Sequence, residues 1–145
     1  MRPLSFSLMA VPRCATIVML MILCIPAQAA PIKMPPPVAA LPNLKDTEIA
    51  IIQGMGKRGW VVEKVEEQRI LASVNVRNKH TAKVWISFST SEISFAYGGS
   101  ENLKCKPQGD SCSSIHKNYN SWVSNLATDI SNAVSTKRVE SMCSQ

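Results

Sequence analysis

The sequence predicts an α+β domain, a two-layer sandwich of helix, four-stranded antiparallel meander and helix, with both helices on one face of the sheet. Three observations lead there. Apolar residues recur at helical spacing over residues 47–58, alternate over residues 60–97, and return to helical spacing over residues 115–134. A chain of 145 residues with 46% hydrophobic content holds one core, so these segments form a single domain, expected over residues 45–138 with a tail over 139–145.

Two segments of another kind precede it. Arg2 and Arg13 flank a short basic region, residues 15–25 are apolar except for Thr16, and Ala27-Gln28-Ala29 offers the small residues of a cleavage site. We expect a signal peptide over residues 1–29, cut near Ala29, and delivery to the periplasm or the exterior. The apolar run is far short of the roughly 20 residues that cross a bilayer, so no transmembrane span is expected after cleavage. Cys24 follows the bulky Leu23, a poor match to lipoprotein processing. Residues 30–44 carry five of the nine prolines and read as an extended tether. The formal charge of +6 falls to +4 without Arg2 and Arg13, too mild a bias to point to nucleic acid.

In the first helix Ile49, Ala50, Ile51, Ile52 and Met55 supply the buried side, Asn43 or Asp46 the N-cap, and Gly59 the residue just past the end. Gly54-x-Gly56 and Gly59 imitate a dinucleotide fingerprint, but no strand precedes them, and that reading fails. Strand one is expected over residues 60–66. In strand two Ile70, Ala72, Val74 and Val76 alternate with Leu71, Ser73 and Asn75. Strand three sets Ala82, Val84, Ile86 and Phe88 against Thr81, Lys83, Trp85 and Ser87, and strand four carries Ile93, Phe95 and Tyr97. Loops this short join antiparallel neighbours. Gly98-Gly99 is read as the end of the sheet, and about 15 polar residues lead to the last helix.

Three cysteines remain after the signal. In an oxidising compartment Cys105 and Cys112, eight residues inclusive, are expected to bond to each other, leaving Cys143 over. The competing use, Cys105 and Cys112 with His116 on a metal, offers three ligands at loose spacing, and no metal or other cofactor is expected. Ser114, His116 and Asp110 lie close in sequence, yet no nucleophile elbow surrounds the serine and no paired carboxylates or phosphate loop occur. A catalytic residue is therefore not assigned.

Two surfaces are candidates for binding. On the open face of the sheet Trp85 stands among Lys83, Asn75 and Arg77, a stacking platform for a sugar ring or, more simply, a cover for Leu71 across the strand pair. Trp60 and Val62 extend that face if strand one keeps register. At the start of the last helix Tyr97, Ser100, Asn102, His116, Tyr119 and Asn120 are expected to meet in one polar network. It would either cap the helix or hold a small anion at the helix N-terminus.

Gly59-Trp60, then Tyr97-x-x-Ser100-x-Asn102-Leu103, then Ile115-His116-x-x-Tyr119-Asn120-x-Trp122-Val123-x-x-Leu126, resembles a group of small exported bacterial proteins and lipoproteins of unassigned function. The resemblance spans about residues 47–134. It implies a bacterial envelope setting and the two-layer fold, and it implies no reaction. In that group the loop before Ile-His is short and lacks a cysteine pair, so Cys105 and Cys112 read as a local addition. The expected function is a non-enzymatic exported domain binding another envelope component, a protein first. A glycan- or small-ligand-binding module at Trp85 comes second, and a hydrolase using His116 third.

Overall fold

The computed structural model describes residues 29–144. The expected signal peptide, Ala29 apart, lies outside them. The fold is α+β, with two helices and two antiparallel sheets. β1 (Ala29–Ala30) and β2 (Val38–Ala39) precede α1 (Leu44–Gly56); β3 (Val61–Glu66), β4 (Arg69–Val76), β5 (His80–Phe88) and β6 (Glu92–Glu101) follow; β7 (Lys106–Gln108), β8 (Ser111–His116) and α2 (Lys117–Cys143) complete the chain. The larger sheet runs β2-β6-β5-β4-β3 and the smaller β1-β8-β7. The four strands of the sequence reading thus lie within a larger arrangement, and the additions come from segments read as tether and loop.

The layers follow from alternation. Ile70, Ala72 and Val74 of β4, Ala82, Val84, Ile86 and Phe88 of β5, and Ile93 and Phe95 of β6 are all buried and all share one face. They pack in one core with Ala50, Ile51 and Met55 of α1 and with Tyr119, Val123, Leu126, Ile130 and Val134 of α2. Burying each large side chain contributes ~1.5–3 kcal/mol, which is what holds helices to sheet. The helices cross closely at Gly54, where a Cβ would stand 2.7 Å from the Cα of Ile130. That contact explains the glycine that imitated a nucleotide motif.

α1 begins where Asn43 accepts from the amides of Lys45 and Asp46, and the chain leaves it through Gly59 at φ +73°. Its buried side is Thr47, Ala50, Ile51, Gly54 and Met55, whereas Ile52 is exposed. Trp60 is buried with the helices and Val62 opposes Ala72 on the helix-covered face, so neither enlarges the open face as expected. A bulge between Val62 and Lys64 reshuffles the alternation of β3.

β6 runs through Gly98-Gly99 instead of ending there. A Cβ on Gly98 would meet Leu71 Cδ1 at 2.8 Å and Gly99 takes φ +144°, so these glycines admit a close neighbour and a bulge, not a turn. Residues 30–44 keep an extended course but lie on the domain. Asn120 donates to the Pro31 carbonyl and accepts from the Lys33 amide, both at 2.9 Å, β2 pairs with β6, and Arg138 donates to the Ala40 carbonyl. The expected tail is helical through Cys143, because nothing between Ser135 and Cys143 is Gly or Pro. No helix among the described residues is long and apolar enough to cross a membrane.

Candidate functional site

The residues expected in one network at the start of α2 fall into three sets. The first is closed. Tyr97 Oη and Ser100 Oγ are 2.8 Å apart, the rings of Tyr97 and Tyr119 are tilted with centroids 5.6 Å apart, and Tyr119 donates to the Lys83 carbonyl at 2.9 Å. Lys83 sits at the β5–β6 register shift, so the hydroxyl of Tyr119 fills the gap that the bulge opens. Burial, helped by Tyr97, holds the Tyr119 phenol well above its ordinary titration range, with the Gly98 backbone pulling weakly the other way. This set is structural. The second is Asn120, which fastens the N-terminal segment through the two bonds already described.

The third set is open to solvent. Lys79, His80, Asn102, Lys104 and His116 line a cleft of about 710 Å³. Three elements bring them together. The β4–β5 turn carries Lys79 and leads into His80, the strand pair Thr81 with Glu101 sets Asn102 beside His80, and β8 ends at His116. His80 Nδ1 donates to the Asn102 carbonyl at 2.9 Å, and Nε2 is the ring nitrogen that this bond leaves unused. His116 caps α2, its Nδ1 accepting from the Asn118 amide at 3.2 Å, which puts the proton of the neutral ring on Nε2. The two rings lie 6.4 Å apart at 29°. The Asn102 side chain donates to the Lys79 carbonyl at 2.8 Å, tying the two connections to each other.

Backbone strain gathers at the same place. Among the described residues five non-glycine positions have positive φ, and four of them, Arg77, Asn78, Asn102 and Lys104, belong to the two connections that form the cleft. Beneath it, Cys105 and Cys112 form the expected disulfide with Cα atoms 5.5 Å apart, and Cys112 is buried against the core. With both sulfurs bonded, the metal arrangement through Cys105, Cys112 and His116 has no thiolates. No group of three potential metal-binding side chains occurs among the described residues. Cys143 is exposed and unbonded.

What the cleft can do follows from its groups. No carboxylate lines it, and neither Lys79 nor Lys104 joins an ion pair among the described residues. Two ammonium groups and the Nε2–H of His116 therefore offer donors to an anion, carboxylate or phosphate. General-base catalysis by His116 has weaker support, since the Asn118 amide occupies the nitrogen that an orienting carboxylate would need. A second hollow of about 300 Å³ lies between the β4 end of the same hairpin and α2, lined by Arg58, Trp60, Val74, Val76, Trp122 and Asn125. Arg58 there binds the buried Asp129 at 2.6 Å.

The open-face candidates do not converge. Trp85 opposes Leu71 and Ala96, and the Arg69 guanidinium sits 4.0 Å above its ring, so one ring face is covered. Lys83 is paired with Glu63. Asn75 opposes Thr81, four residues along β5 from Trp85 or about 13 Å at the usual strand rise. Arg77 lies in the β4–β5 turn.

Lys79 and Lys104 carry no signal of their own in the sequence, and His80 reads there as no more than a solvated residue on a hairpin turn. The pairing of β5 with β6 holds the signal that finds them, because it brings the β4–β5 turn and the exit from β6 to one end of the sheet. No protein-family model matches the chain, and no curated protein and no solved structure matches it.

Proposed function

We propose that the chain is a non-enzymatic exported binding domain that holds an acidic segment of a protein partner in the cell envelope. The observation that carries this reading is the convergence of Lys79, Lys104, His80 and His116 on one open cleft without a carboxylate among its lining residues. The basic lining suits Asp or Glu side chains. The neighbouring hollow at Trp60 and Trp122 suits an apolar side chain a few residues away, and a peptide offers both together. The envelope setting comes from the expected signal peptide and fits the disulfide.

The glycan reading at Trp85 has less support, because the Arg69 guanidinium already covers one face of the ring. Affinity capture with cross-linking in the native envelope tests the proposal. The protein should retain its partner when Trp85 is changed to Ala, and lose it at least tenfold when Lys79→Glu and Lys104→Glu are combined. Capture that survives the double charge reversal would count against the cleft, and capture lost only with Trp85 would favour the glycan-type surface.

A further inference from the structure

The two edges of the five-stranded sheet are not alike. The β6 edge is covered by β2, whereas β3 ends the sheet at the other side with no strand beyond it among the described residues. A bare edge presents backbone donors and acceptors in a row and calls for a partner strand or a blunting device. β3 is Val61-Val62-Glu63-Lys64-Val65-Glu66, and its three valines are 58%, 39% and 54% exposed.

We infer that β3 pairs with a second copy of itself, antiparallel about a two-fold axis between Glu63 and Lys64, joining two five-stranded sheets into one. The bulge is what permits this register. In a regular strand neighbouring residues point to opposite faces, so a dyad between residues 63 and 64 would set mismatched faces against each other. Here Val62 opposes Ala72 and Val65 opposes Ile70, residues two apart on β4. Val62 and Val65 therefore share one sheet face and one hydrogen-bonding phase, and each can face the other across the dyad.

The charges complete the complementarity. Lys64 opposes Leu71 on the open face, and Glu63 reaches Lys83 on that same face. The dyad places Glu63 of each copy opposite Lys64 of the other, two attractive pairs, and Val61 opposite the methylenes of Glu66. On the covered face Val62 and Val65 of both copies meet. A strand that is its own complement in face, phase and charge fits a second copy better than an unrelated strand, and such an isologous contact closes after two copies.

Sedimentation velocity and native mass spectrometry test this on protein purified as cells expressing the full chain deliver it, in a Cys143→Ser background that excludes covalent dimers. The protein should pass from monomer to dimer with rising concentration. Lys64→Glu alone and Glu63→Lys alone each set two like-charged pairs at the dyad and should weaken dimerisation at least tenfold. The double reversal Glu63→Lys with Lys64→Glu should restore it. Both positions are exposed on an edge strand, and an unchanged thermal midpoint confirms that the single variants are folded. A monomer at every concentration, or a dimer indifferent to the charge reversals, would overturn the inference.

Discussion

Tyr119 and His116 are three residues apart, and the polar groups around them have opposite fates. The set of Tyr97, Ser100 and Tyr119 is closed: Tyr119 is buried, its hydroxyl donates to the Lys83 carbonyl, and it serves the bulge in β6. The set of Lys79, His80, Lys104 and His116 is open, the connections beside it hold Arg77, Asn78, Asn102 and Lys104 at positive φ, and Lys79 and Lys104 join no ion pair among the described residues. The difference lies in whether each group's hydrogen-bonding capacity is used inside the molecule. A satisfied buried group defines the fold, and an unsatisfied exposed one is left for something else.

Variants should separate the two sets, first by stability. Tyr119→Ala removes a fully buried aromatic ring and should lower unfolding free energy by ~3–5 kcal/mol in chemical denaturation. Breaking the disulfide with Cys105→Ser and Cys112→Ser should lower it by up to about 2.5 kcal/mol, since the loop it closes is short. That double variant should also weaken partner binding, because the stapled hairpin carries His116.

Tyr119→Phe is the gentler test of the closed set, costing about 1 kcal/mol near neutral pH for the lost bond to Lys83. It should also change the response to alkali. The folded state holds the phenol protonated beyond the ordinary value of about 10, so the stabilisation is complete below that pH and is lost as pH rises toward the folded value. In that window the parent protein should lose about 1.4 kcal/mol per pH unit more than the Phe variant. Parallel pH profiles would show that the phenol is not held as described. Smallest in stability should be Lys79→Glu with Lys104→Glu, within about 0.5 kcal/mol of the parent, although binding falls at least tenfold.

Much of the closed architecture was legible in the sequence. Alternation located the four longer strands and the compartment argument paired Cys105 with Cys112, whereas the helical spacing over residues 115–134 begins two residues early, since Ile115 and His116 belong to β8 and α2 starts at Lys117. What alternation cannot show is where it is broken. The bulge in β3 turned Trp60 and Val62 away from the open face, and the bulge at Gly98 carried β6 through glycines that looked like an ending. β2 escaped notice because two residues beside three prolines give no period at all. The helix ran on to Cys143 because a polar sequence without Gly or Pro has no stop signal.

The candidate site was half legible. His116 and Asn102 stood out, but Lys79, His80 and Lys104 join them only through strand register and turn geometry, neither of which their own neighbours in sequence disclose. Trp85 drew attention by residue type, and the Arg69 guanidinium above it takes up one face of its ring.

The ring C–H NMR signals of His80 and His116 give the most direct test of the open cleft. During titration with a short glutamate-rich peptide both rings should shift together and saturate, while the same titration of the Lys79→Glu, Lys104→Glu variant leaves them in place. Histidine signals that stay still in the parent protein, or a response confined to the Trp85 indole, would contradict the account.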